Sequence, residues 1–249
     1  MKPLIIGNWK MRPDTLQGAR TLLQNTLRKL PKGAEVVLCP PAPYLSLLAS
    51  GYRGRSITFG AQDVSAEESG SHTGEYTAFM LSSMKLTHTI LGHSERRRAG
   101  ETSELVNKKI GAALRARLTP VVCIGEVTRD GEGKYLKVLE EEMHTTLAGV
   151  KPADARRLVL AYEPVWAIGK NTDDALSPLS LQETVLFIRK VMSELWDRKV
   201  ALAVPILYGG SVTPENAQLL KQDGGVTGFL VGHESLDPDH FREIVRAAL

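Results

Sequence analysis

Short apolar runs recur along the whole chain, and each is followed by a segment in which apolar residues return at helical spacing. Runs of four or five residues rich in Val, Ile and Leu are typical of strands that are buried on both faces. The predicted strands are Leu4 to Gly7, Glu35 to Cys39, Ile57 to Ala61, His88 to Gly92, Pro120 to Ile124, Leu158 to Ala161, Ala203 to Leu207 and Gly228 to Val231.

The segments between these runs have apolar stripes set against charged faces, which predicts amphipathic helices. The clearest are Asp14 to Leu30, Thr102 to Arg117, Tyr135 to Leu147 and Leu179 to Trp196, with shorter and weaker helices around Pro43 to Ala49 and Thr77 to Met84. Three helix starts carry a side-chain acceptor followed by proline, a pattern typical of an N-cap and first helical residue. They are Ser177-Pro178, Thr213-Pro214 and Asp237-Pro238.

This alternation predicts an α/β fold in which a helix follows each strand. One closed parallel barrel spanning residues 1–249 is favoured, and an open, doubly wound sheet is the alternative that spacing alone leaves open. The longest loop candidates, Asp63 to Gly74 and Gly169 to Ser177, lack the low complexity of a linker. We therefore expect a single domain.

Composition excludes several classes of partner. The net charge of +3 is spread over 31 basic and 28 acidic residues, so it predicts no nucleic-acid surface and at most a mild preference for small anions. No apolar stretch approaches the length of a membrane span, and the chain starts without the apolar region of a signal peptide. We expect a cytoplasmic protein that binds neither nucleic acid nor membrane.

The cysteine and histidine positions predict no metal centre. Cys39 and Cys123 are too far apart in sequence to form a metal or redox motif, and buried free thiols in a reducing compartment are the favoured interpretation. The six histidines include no His-x-x-x-His pair.

Polar residues stand directly after several predicted strands. The residues are Asn8 and Lys10 after the first strand, His93 after the fourth and Glu163 after the sixth, while glycine turns follow the last two. Because the carboxyl ends of barrel strands form one rim, these side chains are expected to share a site. Each residue alone is more often structural than catalytic; their combination favours catalysis. The apolar loop that begins at Val165 is a candidate lid.

Six motifs in order along the chain resemble the triosephosphate isomerase family. They are Gly-Asn-Trp-Lys-Met at 7–11, Leu-Gly-His-Ser-Glu-Arg-Arg at 91–97, Cys-Ile-Gly-Glu at 123–126, Ala-Tyr-Glu-Pro-Val-Trp-Ala-Ile-Gly at 161–169, Tyr-Gly-Gly-Ser at 208–211 and Gly-Phe-Leu-Val-Gly at 228–232. The resemblance implies a single-domain (β/α)8 TIM barrel and an isomerase that interconverts dihydroxyacetone phosphate and glyceraldehyde 3-phosphate through an enediolate.

The resemblance also implies roles for individual residues. Glu163 would be the base, His93 would polarise the carbonyl group as a neutral imidazole, and Lys10 would stabilise the enediolate. Asn8 would position the substrate oxygens, and Glu95 would be a less certain catalytic participant near the lysine.

Phosphate binding is assigned in the same way, to backbone N–H groups at Gly169, Ser211, Gly232 and His233. No cofactor or metal is required, because hydrogen-bond donors and a fixed cation can stabilise the enediolate. The loop containing Thr73 resembles the family segment that reaches into a second subunit, which implies a homodimer.

The chain departs from the family pattern at several places. Lys170-Asn171-Thr172 replaces the usual Thr-Gly-Lys, His233 stands where a glycine is typical, and Asp63 stands where Asn is typical. The segment 98–101 is one residue shorter than usual and lacks a common Phe. The hinge and His233 leave open an isomerase of the same mechanism that acts on a tetrulose phosphate.

Two further classes of function remain as competitors. A silent phosphate-binding barrel would not need Lys10, His93 and Glu163 together. A metal-dependent epimerase or an aldolase would need a ligand set or a Schiff-base lysine at a strand end, and neither is clear in the sequence.

Overall fold

The predicted strands form one closed, parallel barrel in the computed structural model, which describes residues 1–167 and 176–249. Each strand pairs with its neighbours in chain order, and the last pairs with the first. The strands are β1 (Leu4–Asn8), β2 (Glu35–Cys39), β3 (Thr58–Ala61), β4 (His88–Leu91), β5 (Thr119–Ile124), β6 (Val159–Tyr162), β7 (Ile206–Tyr208) and β8 (Gly228–Val231). The barrel prediction is confirmed, and the doubly wound sheet is excluded.

Two apolar cores follow from the two-residue period of the strands. In β1 the side chains of Leu4 and Ile6 fill the barrel interior, whereas Ile5 packs in the layer between strands and helices. The interior is capped at the carboxyl end by Cys39 and Cys123, which are free and buried. This alternation directs Asn8, the last residue of β1, towards the mouth of the barrel.

Helices surround the strands on the outside. They are α1 (Leu16–Leu27), α2 (Ala42–Gly51), α3 (Ala78–Ser83), α4 (Ser94–Arg98), α5 (Ser103–Arg115), α6 (Lys134–Thr146), α7 (Pro152–Ala155), α8 (Pro178–Leu195), α9 (Arg198–Ala203), α10 (Pro214–Asp223) and α11 (Pro238–Ala247). Short 3-10 helices span Val165–Ala167 and His233–Leu236. None of the helices in the described part of the chain has the length and apolarity needed to cross a bilayer.

The predicted helix starts at Ser177 and Asp237 are confirmed by their hydrogen bonds. The Ser177 hydroxyl accepts from Ser180 N at 3.2 Å, and the Asp237 carboxylate accepts from backbone N–H groups in the first turn of α11. The predicted start at Thr213 is confirmed as well, because Thr213 is the N-cap of α10, and the side chain of Asn216 accepts from the Thr213 N–H at 2.9 Å.

The predicted strand from Ala203 to Leu207 begins too early. Asp197 caps α9 by accepting from Val200 N at 2.8 Å, so the apolar residues that follow form a helix instead of a strand. The helix predicted from Asp14 to Leu30 is also shorter, because the Thr15 hydroxyl caps it by accepting from Gly18 N. The N-caps formed by Asp197 and Thr15 therefore explain both differences between the predicted and observed boundaries.

The barrel closes where β1 meets β8, with Leu4 opposite Gly228. A Cβ atom at Gly228 would lie only 1.9 Å from the backbone oxygen of Leu4. Only glycine permits this close approach, so the motif at 228–232 begins with a residue that closure requires.

Candidate active site

A cavity of about 420 Å³ opens at the carboxyl end of the barrel. The predicted site residues that line it are Asn8, Lys10, His93, Glu163, Ser211, Gly232 and His233. These residues follow five different strands, so the barrel brings together groups that are more than 200 positions apart in the sequence. Glu95 lies beside the cavity in contact with Lys10, and Gly169 lies outside the described residues.

The segment after β1 places an ammonium group at the cavity in an unusual backbone conformation. Lys10 has a φ of +49°, in the left-handed region that side chains other than glycine rarely adopt. The Asn8 carbonyl oxygen Oδ1 accepts from Lys10 N at 3.0 Å, and Gln62 Nε2 donates to Lys10 O at 2.8 Å. These two side chains stabilise the turn that carries the lysine.

The Lys10 ammonium group pairs with Glu95. The distance from Lys10 Nζ to Glu95 Oε1 is 2.5 Å, and both side chains are partly exposed. Burial alone would raise the pKa of Glu95, but the adjacent Lys10 outweighs this effect and holds that pKa below its usual value. Glu95 therefore stays ionised and fixes the position of the cation.

His93 follows β4 and caps the short helix α4. Its Nδ1 accepts from Glu95 N at 3.2 Å, so this nitrogen carries no proton and the ring is the neutral tautomer protonated at Nε2. The Nε2–H faces Glu163, with Nε2 3.3 Å from Oε1.

Glu163 directly follows β6 and is 2% exposed. Its Oε2 accepts from Ser94 N at 2.9 Å, while Oε1 faces the imidazole of His93. Burial raises the pKa of the neighbouring Cys123 thiol far above its usual value, and the Glu163 carboxylate raises it further. Cys123 is therefore a protonated packing group, as expected, and Glu163 is the carboxylate that can exchange a proton here.

Two glycines make room for Glu163. A Cβ atom at Gly125 would lie 1.8 Å from the Glu163 backbone oxygen, and one at Gly209 would lie 2.9 Å from the Glu163 Cγ. The glycines in the motifs at 123–126 and 208–211 are thus explained by the close packing of two loops around one carboxylate.

Another part of the cavity wall consists of the segments after β7 and β8. The Ser211 hydroxyl donates to Ala167 O at 3.0 Å, which ties the end of the Val165–Ala167 turn to this wall. Gly232 and His233 lie at the start of the 3-10 helix His233–Leu236, where backbone N–H groups are available to an anion. The wall therefore suits the phosphate group of a small ester.

A carboxylate, an imidazole N–H and a fixed ammonium group thus line one cavity at the carboxyl end of a parallel barrel, together with backbone from the segments after β7 and β8. The model of the family described as triosephosphate isomerase matches residues 3–248. The chain belongs to the triosephosphate isomerase family. Proteins named triosephosphate isomerase from Moorella thermoacetica and Carboxydothermus hydrogenoformans are 43% and 41% identical to it, and the alignments cover at least 98% of every chain.

A further protein named triosephosphate isomerase, from Roseiflexus sp., is 42% identical over 98% of this chain and 96% of its own. The match extends over the whole barrel and includes all of the site residues. The family membership implied by the sequence motifs is therefore confirmed.

Sequence reasoning assigned no role to Glu126, although it belongs to the motif at 123–126. This side chain is 1% exposed, and its Oε1 accepts from Tyr162 OH and from Trp166 Nε1, each at 2.9 Å. The guanidinium group of Arg129 lies over the Trp166 ring, 5.9 Å from its centroid. Glu126 thus holds the start of the candidate lid. The sequence feature that could have indicated this contact is Trp166, because an indole N–H in an apolar loop requires a hydrogen-bond acceptor.

A buried ion network supports the loop that carries His93. Lys109 Nζ lies 2.7 Å from Asp63 Oδ1 and also bonds to Glu101, and Arg96 pairs with the same two carboxylates. Glu101 Oε2 in turn accepts from Gly92 N at 3.2 Å. Burial raises the pKa of Asp63, although Lys109 and Arg96 oppose this effect. The atypical Asp63 thus has two cationic partners inside the fold.

The expected absence of a metal stays a prediction. Among the described residues, Glu140, His144 and Glu194 place one ligand atom each within 4.8 Å of the others, on the outer helices α6 and α8. Glu194 already pairs with Lys190 at 3.1 Å, and His144 and Glu194 are exposed. Exposed carboxylates often cluster without a metal, so this group does not alter the interpretation of the cavity.

Proposed function

We propose that this protein interconverts dihydroxyacetone phosphate and D-glyceraldehyde 3-phosphate by proton transfer through an enediolate. The observation that carries the proposal is the convergence of Glu163, the Nε2–H of His93 and the ammonium group of Lys10 on one cavity. Membership of the triosephosphate isomerase family supports the choice of substrate.

Glu163 takes the proton from the carbon atom next to the carbonyl group. In the unliganded site its carboxylate is held by Ser94 N and faces His93 Nε2. Substrate entering the cavity takes over the His93 N–H, so the carboxylate is released from the imidazole and turns towards the substrate carbon. The same carboxylate returns the proton to the adjacent carbon, which completes the exchange of aldehyde and ketone.

The negative charge of the enediolate develops on the two substrate oxygens. His93 donates its Nε2 proton to one oxygen and recovers a proton from the other, so the ring moves the hydroxyl proton between them. Lys10 lies beside the same oxygens and stabilises the charge, and Asn8 positions both the lysine backbone and the substrate. Glu95 acts through Lys10, because it fixes the ammonium group by their ion pair.

The phosphate group is bound by the part of the cavity wall that follows β7 and β8. Ser211, Gly232 and His233 contribute N–H groups from two strand ends, and Gly169, which lies outside the described residues, is proposed as the fourth donor. Holding the phosphate fixes the reacting carbon for proton transfer.

The tetrulose phosphate alternative gains no support from the comparisons, since the relatives reported above carry the triosephosphate name. The deciding assay is steady-state interconversion of the two triose phosphates by purified protein with a chelator present. Tetrose phosphates and Glu163→Asp serve as the controls.

Fast triose turnover that collapses in Glu163→Asp and survives the chelator is the expected result. Turnover of tetrose phosphates alone would transfer the proposal to a sister isomerase, and dependence on a metal would contradict the cofactor-free mechanism. Binding of phosphate esters without turnover of either substrate would favour a silent barrel.

We also propose that the protein is a homodimer assembled through the loop containing Thr73. This loop is exposed along 67–75, and the next helix exposes the apolar side chains of Phe79 (48%) and Met80 (56%). Met11, beside the catalytic lysine, is 89% exposed. A partner subunit would cover these apolar groups.

Sedimentation tests this assembly. The wild type should sediment with twice the mass of one chain, and Thr73→Arg should shift it towards the monomer with reduced turnover, because a bulky cation would lie in the interface. A fully active monomer at assay concentration would contradict the proposal.

We infer that residues 1–249 act as one catalytic domain in the cytoplasm. Pairing of β1 with β8 joins the two ends of the chain, which supports a single cooperative unit, and the unpaired Cys39 and Cys123 suit a reducing compartment. A single calorimetric transition and recovery in the cytoplasmic fraction are the expected observations. Two separate transitions would contradict the first inference, and recovery from an extracellular fraction would contradict the second.

A further inference from the structure

His233 lies at the boundary between two hollows. Its side chain lines the catalytic cavity near Lys10 and Ser211, and it also lines a smaller hollow of about 300 Å³ with Glu234 and His240. The side chain is exposed, and none of the described residues forms a hydrogen bond or an ion pair with its ring. The imidazole is therefore available to a group bound in the cavity.

The charges at the cavity leave a place for a second cation. Of the described residues that line it, Lys10 carries the permanent positive charge, and that charge is already paired with Glu95. Glu163 and Glu234 add negative charge. A phosphate ester brings close to two further negative charges, so cationic groups at the phosphate end would strengthen its binding.

Glu234 does not compete for the His233 ring. Its Oε2 is bonded to His240 Nδ1 at 2.6 Å. This hydrogen bond raises the pKa of His240, and the nearby charge of Asp237 adds to the effect. Glu234 is thus paired with His240, although it lines both hollows, and it forms no hydrogen bond with the adjacent ring of His233.

We propose that the protonated side chain of His233 is a second cation for the substrate phosphate, so that anion affinity increases as the pH falls through the range in which imidazole titrates. This inference rests on the proposed function and deepens it. The charged and titratable groups that share the two hollows with His233 are Lys10, His93, Glu163, Glu234, Asp237 and His240.

Competitive inhibition of triose turnover by sulfate tests the proposal. Sulfate stays a dianion between pH 5.5 and pH 8.5, so any change of its inhibition constant reports on the protein. The proteins compared are the wild type, His233→Gln, which removes the charge, and His233→Lys, which fixes it. His144→Gln is the matched control, because it removes an exposed histidine on the outer helix α6.

We expect wild-type affinity for sulfate to fall by about three- to fivefold from pH 5.5 to pH 8 relative to His233→Gln, because histidine is the side chain that changes its charge within this pH range. His233→Lys should bind sulfate about three- to fivefold more tightly than His233→Gln at pH 8. His144→Gln should follow the wild-type profile.

Identical pH profiles for the wild type and His233→Gln would overturn the proposal, as would equal affinities of the Gln and Lys variants at pH 8. A failure of the proposed function would look different, because the wild type and His144→Gln would then both lack triose turnover. In that case direct sulfate binding by calorimetry still tests His233 with the same expected order of affinities.

Discussion

Glu163 and Glu101 are both buried carboxylates, but their surroundings differ. Glu101 lies against two cations, Arg96 and Lys109, and also accepts a backbone N–H. Glu163 accepts one backbone N–H and faces the neutral ring of His93, and no Lys or Arg of the described residues is within ion-pair distance of it. The first carboxylate is held in a balanced network, whereas the second keeps its capacity to accept a proton.

This difference suits Glu101 to a structural role and Glu163 to proton transfer, although the two carboxylates lie in one small region. A carboxylate bound by fixed cations is stabilised as the anion and is a weak base, so it serves to hold the loop before His93 in place. A carboxylate bound by neutral donors can turn towards a substrate and exchange a proton with it. We therefore expect substitutions of the two groups to affect different measurements.

Replacing Glu163, the proposed base, should separate the two carboxylates most clearly. In Glu163→Gln the amide cannot take a proton, so kcat for triose interconversion should fall by roughly 10²- to 10⁴-fold. The amide oxygen can still accept from Ser94 N, so the unfolding midpoint should stay close to that of the wild type. Steady-state kinetics and thermal unfolding of the same preparation measure both effects. A loss of activity below tenfold would remove Glu163 from its role.

Removing a cation from the ion network around Glu101 should lower stability more than it lowers turnover. Lys109→Met leaves two buried carboxylates with Arg96 alone, so the free energy of unfolding should decrease by about 3–5 kcal/mol. Urea unfolding measures it, with Lys108→Met as the control because Lys108 is exposed on the same helix. Similar stabilities of the two variants would show that the network contributes little. Turnover measured below the unfolding transition should be reduced far less than in Glu163→Gln.

His88 extends the comparison to a basic group. Burial shifts its pKa, and no charged partner contributes to that shift. The side chain is 5% exposed, and burial lowers its pKa from the usual value to about 4. Between these pKa values the unfolded chain binds more protons than the folded one, so stability is full above pH 6.5 and decreases as the pH falls to 4. The expected loss is about 3 kcal/mol.

Urea unfolding from pH 7 to pH 4.5 measures this dependence. His88→Gln should flatten it, whereas His144→Gln should keep the wild-type slope because that residue is exposed. Equal slopes in all three proteins would show that His88 titrates normally in the folded state.

The surroundings of Glu126 are intermediate between those of Glu101 and Glu163. Loss of one of its hydrogen bonds should give the smallest change in stability. It accepts from two neutral side-chain donors, and the nearest guanidinium nitrogen of Arg129 lies 3.9 Å from its Oε1. Trp166→Phe removes one donor and should lower the free energy of unfolding by about 1–2 kcal/mol. A double-mutant cycle with Glu126→Gln isolates the contact, and a coupling energy near zero would show that Trp166 acts through its packing alone.

The sequence predicted the parts of this molecule that depend on local period and local caps. Strand alternation directs Asn8 to the barrel mouth, and Ser177 and Asp237 cap their helices as expected. The family motifs located the groups that line the cavity, with Gly169 outside the described residues. These features depend on residues within a few positions of each other or on the motifs themselves.

The contacts that support the site could not be predicted in the same way. Lys109 is 46 positions from Asp63, and Gln62 is 52 positions from the lysine whose backbone it holds. Such pairs are set by the packing of loops after neighbouring strands, for which a single sequence gives no period. The early start assigned to the seventh strand has a local cause, because the cap at Asp197 outweighed an apolar run.

Closure of β1 against β8 also has a consequence for biosynthesis. The cavity combines residues that are made at very different times, since Lys10 is synthesised more than 200 residues before His233. A nascent chain that lacks Gly228–Val231 has two unpaired strand edges and lacks the part of the cavity wall formed by Gly232 and His233. Activity therefore requires translation to continue past β8, and a product terminated before β8 would be both inactive and prone to aggregate.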